Sequence, residues 1–274
     1  DYFDEVDESS EDNNGFIQSG AGETAVSLAE GTTAGSTAPP EPVPADNNQT
    51  NTNPNATTEN PTAPVDDQNN AAPLTTVQST CQQPAPSMTF FITHEGTGAI
   101  GGNLGGLSGA DARCQTAAER AGIRGRTWRA YLSAENDRAY GRVNARDRIG
   151  RGPWFNHAGA SVGNLATLHD GSINALPPSL ALSECGAQFL SQREDDLFYR
   201  AHDIFTGSDQ FGELMSGQTC ADWTSDSPDF TAWVGHSDHD VPDDYWNSSH
   251  GTGCYEEGMI STLAIGRIYC FAIN

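Results

Sequence analysis

The sequence predicts a single α+β domain, closed by disulfide bonds, that follows a long N-terminal segment without a hydrophobic core. Three observations support this prediction: an uneven charge distribution, an even number of cysteines, and strand and helix patterns that begin only near residue 88. We therefore expect residues 1–86 to be a disordered acidic stalk rich in Pro, Thr and Asn. Residues 87–274 are expected to form the folded domain.

The stalk prediction depends on composition. Residues 1–86 contain 14 of the 37 acidic residues and none of the 13 basic residues, all of which are arginine. Aromatic and periodic apolar residues are scarce there, so too little buried surface is available to offset the loss of chain entropy. The proline content favours an extended, solvated chain.

Charge and apolar patterning argue against a nucleic-acid partner and against a transmembrane segment. The formal charge is −24 and the pI is about 4.3. Nucleic-acid binding needs Lys and Arg to displace the counterions of the phosphates, so we expect no nucleic-acid partner. No apolar run approaches the roughly 20 residues that span a bilayer, so no transmembrane segment is expected. Nothing in the sequence sets the oligomeric state.

The cysteines predict an oxidising compartment. The chain contains six of them, with long and irregular spacing and no C-x-x-C pair: Cys81, Cys114, Cys185, Cys220, Cys254 and Cys270. This pattern fits disulfides better than metal ligation. The protein is therefore expected to be secreted or extracellular, with the N-terminal segment as a means of attachment to a cell surface. Six free buried thiols in a cytosolic protein are the alternative.

Four segments predict the ordered elements. The β-branched and aromatic run MTFFIT predicts a strand over 88–93. Ser108 and Asp111 predict a helix N-terminus, and Gly122 its end. The alternating TWRAYLS (127–133) and GRIYCFAI (266–273) predict two further strands.

The helix has one apolar stripe, at positions i, i+3, i+4 and i+7: Cys114, Ala117, Ala118 and Ala121. On the last strand, Ile268 and Cys270 share a face. Both cysteines are therefore expected to point into the core, where a bond between them would join the two ends of the domain.

Five segments resemble endostatin, the C-terminal domain of collagens XV and XVIII. They are GADARCQTAAERAGIRGRTWRAYLS (109–133), FTGSDQFG (205–212), TCADWTSDSP (219–228), GTGCYEEG (251–258) and the final IYCFAI. The first and last are also similar to bacterial secreted domains of unknown function. The resemblance covers roughly residues 90–274.

The resemblance implies a C-type-lectin-like fold. That fold has a mixed, mostly antiparallel sheet, two helices and long disulfide-tied loops. It also implies the pairs Cys114–Cys270 and Cys220–Cys254, which leaves Cys81 with Cys185, a bond that the family does not supply.

The chain departs from the known binding sites of these families. Endostatin binds zinc through histidines near its N-terminus, and Asp1-Tyr2-Phe3 offers no equivalent. Endostatin binds heparin through a basic surface, whereas this domain is acidic. Sugar-binding C-type lectins hold calcium with Glu-Pro-Asn and Trp-Asn-Asp motifs, and only Trp246-Asn247-Ser248 partly matches the second.

The stretch GHSDHDVPDDYWNSSH (235–250) is the candidate metal site. Four carboxylates in it are candidate calcium ligands, because Ca²⁺ prefers hard oxygen donors: Asp238, Asp240, Asp243 and Asp244. The imidazoles of His236, His239 and His250 would suit a transition metal instead. A solvated acidic loop with no ion is the alternative.

An arginine-rich span is the candidate anion site. Residues 113–151 hold ten of the 13 arginines and four acidic residues. Guanidinium forks match sulfate and carboxylate groups in a bidentate manner, so a sulfated or uronic glycan, or the acidic N-terminus, would fit there. Pairing of these arginines with neighbouring residues is the alternative.

These features together predict a binding module without catalytic activity. Its ligand would be an extracellular glycan or protein, held by the loops between Cys220 and Cys254. The candidate contact residues are Trp233, Tyr245, Trp246 and Asn247, and a place in the core is the alternative for the three aromatic side chains. A structural matrix or envelope component and a glycan- or peptide-cleaving hydrolase are the alternatives, although the sequence has no G-x-S-x-G and no H-E-x-x-H motif.

Overall fold

The computed structural model describes residues 81–194, 196–239 and 243–274, which form an α+β fold with short elements. The strands are β1 Phe90–Ile92, β2 Trp128–Ala130, β3 Ala134–Asp137, β4 Gly141–Val143, β5 Trp154–Phe155, β6 Ser161–Gly163, β7 Asp203–Phe205, β8 Thr231–His236, β9 His250–Gly253 and β10 Ala264–Ala272. The helical segments are α1 Gly106–Arg120, α2 Leu165–Leu168, α3 Leu197–Arg200, α4 Cys220–Trp223 and α5 Glu256–Ile260, with 3₁₀ turns at Gly98–Ile100 and Ala145–Arg148.

The main sheet is built around β10. The C-terminal half of this strand pairs antiparallel with β1 on one side and β2 on the other. Its N-terminal half pairs parallel with β7, and β8 and β9 continue the sheet in antiparallel register. The hairpins β3–β4 and β5–β6 lie outside this sheet. Because all pairings except β7–β10 are antiparallel, the sheet is mixed and mostly antiparallel, as predicted.

β10 separates two hydrophobic cores. Ile268 and Cys270 face the first core, which also contains the buried face of α1. Tyr269 and Phe271 face the second, beneath the loops of residues 145–189. A strand that is covered on both faces needs apolar residues at successive positions, and this explains the run IYCFA.

Helix α1 begins earlier than predicted. Its N-cap is Gly105, with φ of 79°, so Ser108 lies inside the helix and makes no cap. The Asp111 carboxylate instead accepts a hydrogen bond from Ala130 N at 2.9 Å, which fastens α1 to β2. The predicted apolar stripe is confirmed, since Cys114, Ala118 and Ala121 are buried. Among the described residues α1 is the single helix longer than five residues, so the second helix that the resemblance implies is represented there by one-turn segments only.

Three disulfides close the domain: Cys81–Cys185, Cys114–Cys270 and Cys220–Cys254. The second and third are the pairs that the resemblance implies, and the first joins the two cysteines that the resemblance leaves unassigned. Such bridges are typical of proteins from an oxidising, extracellular environment. Every helix of the described residues is too short or too polar to cross a lipid bilayer.

The folded unit begins before the predicted boundary at residue 87. Besides the Cys81 bridge, Ala85 N donates to His157 O at 2.8 Å, and Gln82 O lies 3.1 Å from His157 Nε2. Residues 81–86 therefore belong to the domain. The rest of the predicted stalk, residues 1–80, lies outside the described residues.

Candidate functional site

A cavity of about 940 Å³ lies between α1, the segment that follows β1, and the Cys81–Cys185 bridge. Its volume falls within the range of about 300–1,000 Å³ that is usual for small-molecule sites. The side chains that line it include small residues of α1, two arginines, two carboxylates and one histidine: Gly109, Ala112, Arg113, Thr116, Ala117, Arg120, His94, Glu95 and Glu184.

One wall of the cavity is cationic. Arg113, Thr116 and Arg120 share a face of α1, because they follow one another at spacings of three and four residues. The Arg113 guanidinium donates one hydrogen bond to Gly96 O at 3.0 Å, which fixes its position at the rim. Burial lowers the pKa of Arg113, but an arginine stays protonated in proteins.

The facing wall holds two titratable groups in unusual environments. Burial raises the pKa of Glu184 to about 7, although its carboxylate accepts a hydrogen bond from His94 N at 2.7 Å. Burial also lowers the pKa of His94, whose Nδ1 lies 3.3 Å from Ser183 Oγ. At neutral pH this wall therefore offers a neutral imidazole and a partly protonated carboxyl group beside the two cationic forks. Perturbed groups of this kind in a cleft indicate a binding site.

A second cluster of polar side chains lies where β7, β8 and β9 meet. The β7–β8 register places Asp203 opposite His236, and His250 begins β9, which pairs with β8. The Asp203 carboxylate has three imidazole nitrogens around it. Its Oδ1 is 3.4 Å from His202 Nε2 and 3.3 Å from His236 Nε2, and its Oδ2 is 3.6 Å from His250 Nε2.

The Asp203 carboxylate is fully buried, and the Thr262 hydroxyl is the hydrogen-bond donor that acts on it. Burial raises its pKa, and the three histidines act in the opposite direction. One hydrogen bond does not offset the cost of burying a full negative charge, so a cationic group beside Asp203 would be favourable.

The described members of the predicted calcium set, Asp238, Asp243 and Asp244, form no group of three neighbouring ligand atoms. Asp238 Oδ2 accepts from Ser191 N at 2.6 Å, and both Asp244 oxygens accept hydrogen bonds, from His236 Nδ1 at 2.9 Å and Ser249 Oγ at 2.5 Å. Asp243 is exposed, and Asp240 lies outside the described residues. Both groups of metal-ligating atoms found in the described part of the chain include the His236 imidazole. Because Ca²⁺ takes oxygen ligands, neither group fits calcium.

Two of the four predicted contact residues are buried, and this corrects their assignment. Trp246 packs in the second core, with its indole N–H donating to Leu168 O at 3.1 Å. The Asn247 amide donates to Tyr131 Oη at 2.9 Å and is fully buried. Neither side chain is accessible to an external ligand. Trp233 and Tyr245 are half-buried, and the Trp233 indole donates to Ser248 Oγ at 2.9 Å.

Four arginines of the predicted arginine-rich span have two different roles. Arg148 Nη2 donates to both Asp111 carboxylate oxygens, at 2.8 and 2.9 Å, and Arg129 Nη1 lies 3.4 Å from Asp111 Oδ2. These arginines are paired within the domain. Arg113 and Arg120 instead line the cavity, so part of the span does reach a candidate anion site.

Sequence reasoning missed Glu184, His202 and Asp203. They lie outside both the arginine-rich span and the acidic loop. Only a prediction of the strand pairing β7–β8 would have brought His202 and Asp203 to His236. Comparison with models of protein families and with curated proteins gives no match for this chain.

Proposed function

We propose that this protein is a secreted, non-catalytic recognition module with a C-type-lectin-like fold, and that its ligand is a carboxylated glycan. Two features support the fold assignment. The first and last strands, β1 and β10, are paired, and the Cys114–Cys270 bridge joins α1 to the last strand. A scaffold closed in this way holds long loops in place with few regular elements.

The cavity beside α1 is the observation on which the proposed ligand depends. A carboxylate of a uronic-acid unit would be held between the guanidinium groups of Arg113 and Arg120, since planar forks match carboxylates. Sugar hydroxyl groups would form hydrogen bonds with Thr116, with the neutral imidazole of His94 and with protonated Glu184. Each of these three side chains can donate and accept. The small side chains Gly109, Ala112 and Ala117 leave room for the sugar ring.

A glycan is favoured over a protein ligand because the polar groups lie inside a concave cavity and not on a flat surface. A passive structural component would need no such cavity. The hydrolase alternative would use Glu95 and Glu184 as its pair of carboxyl groups, and turnover of the bound oligosaccharide would favour it over binding alone.

Calorimetric titration of the full chain with a hexuronate oligosaccharide, and with a neutral oligosaccharide of the same length, tests this function. We expect saturable binding of the uronate only, weakened as salt is added. Arg113→Gln combined with Arg120→Gln should reduce the affinity at least tenfold, because two charge-assisted contacts are lost.

Arg124→Gln is the matched control, since Arg124 is exposed and lies outside the cavity. Its affinity should stay within twofold of the wild type. Equal binding of the neutral sugar, or an unchanged affinity in the double variant, would rule out the cavity as the site.

A further inference from the structure

The cluster at the β7–β8–β9 junction has an excess of hydrogen-bond acceptors. His236 Nε2 and His250 Nε2 lie only 2.9 Å apart, and both face the Asp203 carboxylate. Which of these atoms carries a proton is set by the contacts of the other nitrogen of each ring.

The Nδ1 contacts assign the same tautomer to all three rings. His236 Nδ1 lies 2.9 Å from Asp244 Oδ2, His202 Nδ1 3.0 Å from Arg200 O, and His250 Nδ1 3.1 Å from Gly251 O. Each of these oxygens only accepts hydrogen bonds, so each Nδ1 is the donor. In a neutral ring the proton is then on Nδ1, and Nε2 carries a lone pair.

Lone pairs consequently point at one another in the middle of the cluster. Three Nε2 atoms and both Asp203 oxygens are acceptors, and Asp238 Oδ1, 3.8 Å from His202 Nε2, is a further buried acceptor without a partner. The Thr262 hydroxyl donates to Asp203, but among the described residues no donor lies between the carboxylate and the three Nε2 atoms, whose lone pairs face it. Only a cation, either a metal ion or added protons, makes this arrangement favourable.

We propose that this cluster is a binding site for a divalent transition metal ion of the zinc class, with Asp203, His236 and His250 as its ligands. The ligand atoms of these three residues lie within 4.8 Å of one another. Around a tetrahedral zinc ion with bonds of about 2.0–2.1 Å, ligand atoms are about 3.3 Å apart. The two Nε2 atoms are 2.9 Å apart, Asp203 Oδ1 is 3.3 Å from His236 Nε2, and Asp203 Oδ2 is 3.6 Å from His250 Nε2, so the distances lie on either side of that value.

The surroundings match what metal-binding histidines require. A carboxylate or a carbonyl oxygen holds Nδ1–H and orients the lone pair of Nε2 toward the ion, and Asp244 and Gly251 O do this here. Imidazole ligands favour zinc and its neighbours over calcium, which takes oxygen ligands. The six cysteines are all in disulfides and do not compete for the ion.

The test is a thermal melt and a calorimetric titration of the full chain, after treatment with EDTA and dialysis, with Zn²⁺ and separately with Ca²⁺. We expect Zn²⁺ to bind with a stoichiometry of one and to raise the Tm by about 5 °C or more at a hundredfold excess over Kd. Ca²⁺ should leave the Tm unchanged.

Two variants separate ligation from a structural role. His250→Gln changes a side chain that is 41% exposed, so the domain should fold while the zinc-induced rise in Tm disappears. Asp203→Asn removes the buried charge without changing the shape. Its EDTA-treated form should melt no lower than the wild type, yet zinc should no longer raise its Tm.

His157→Gln is the control. His157 contacts Gln82 O and belongs to neither group of metal-ligating atoms in the described part of the chain. It should keep the full response to zinc. The proposal is overturned if zinc does not change the Tm of the wild-type protein. A cluster whose charge is compensated by protons alone would give that result. It is also overturned if Asp203→Asn keeps the zinc response.

Discussion

Glu184 is a buried carboxyl group whose protonation affects the stability of the domain. Burial raises its pKa from an ordinary value of 4.5 to about 7. The folded state therefore binds this proton more tightly than the unfolded state. The resulting stabilisation is fully present below about pH 4.5 and is lost as the pH rises through about 7. Above this pH the ionised Glu184 carboxylate would also repel a uronate bound in the cavity.

We expect Glu184→Gln to remove this pH dependence. Glutamine keeps an oxygen that accepts the hydrogen bond from His94 N and carries no charge. At pH 8 the variant should be more stable than the wild type by about 1–3 kcal/mol, and at pH 4 the two should be equal. Denaturant unfolding at both pH values measures this difference. The exposed Glu257→Gln is the control, and a difference that does not change with pH would contradict the assignment.

At the scale of the element, α4 is a left-handed turn. Its four residues have φ values of 49°, 51°, 56° and 63°, a conformation that costs non-glycine residues roughly 1–2 kcal/mol each. Three of them are held there by other contacts. Cys220 is in a disulfide, the Asp222 carboxylate accepts from Glu135 N at 2.7 Å, and the Trp223 indole donates to Ser133 O at 2.7 Å.

Ala221 is held by its backbone only, since its carbonyl oxygen accepts from Thr224 Oγ1 at 2.6 Å, and this contact does not need a side chain at residue 221. Ala221→Gly should raise the free energy of unfolding by about 0.5–1 kcal/mol, because glycine adopts positive φ without a steric cost. The same change in α1, Ala112→Gly, should lower it by about 1 kcal/mol, since Ala112 has helical φ. Denaturant unfolding of both variants gives the two signs, and destabilisation by Ala221→Gly would show that the turn is not strained.

At the scale of the whole molecule, the sequence predicts the elements and the cysteine pairs better than it predicts the functional sites. The apolar stripe of α1 and the run IYCFA identify two elements that face a common core, because their periodicity depends on neighbouring residues only. Asp203 and His236 are 33 positions apart and meet only through the register of β7 and β8. Arg113 and Glu184 likewise come together only in the finished fold. The sequence does not decide whether Trp246 contacts a ligand or lies in the core, because a loop sequence gives no sign of whether the chain turns back to cover it.

The three disulfides differ in solvent access, and this difference predicts the order in which they are reduced. Cys114, Cys220, Cys254 and Cys270 are fully buried, whereas Cys81 and Cys185 are half-buried at the rim of the cavity. Attack by a thiolate requires access to a sulfur atom. A limiting amount of dithiothreitol under native conditions should therefore open Cys81–Cys185 first. Differential alkylation followed by mass spectrometry identifies the labelled cysteines.

Opening this bridge should leave the domain folded, because the two remaining bridges and both cores do not depend on it. Its loss should still lower the Tm, since a bridge that spans 104 residues stabilises by about 4–5 kcal/mol in the chain-entropy model. Reduction in denaturant is the control. There the three bridges lose their difference in access, and the preference for Cys81–Cys185 should vanish. Equal labelling of Cys114 and Cys81 under native conditions would mean that α1 and β10 separate as readily as the rim of the cavity opens.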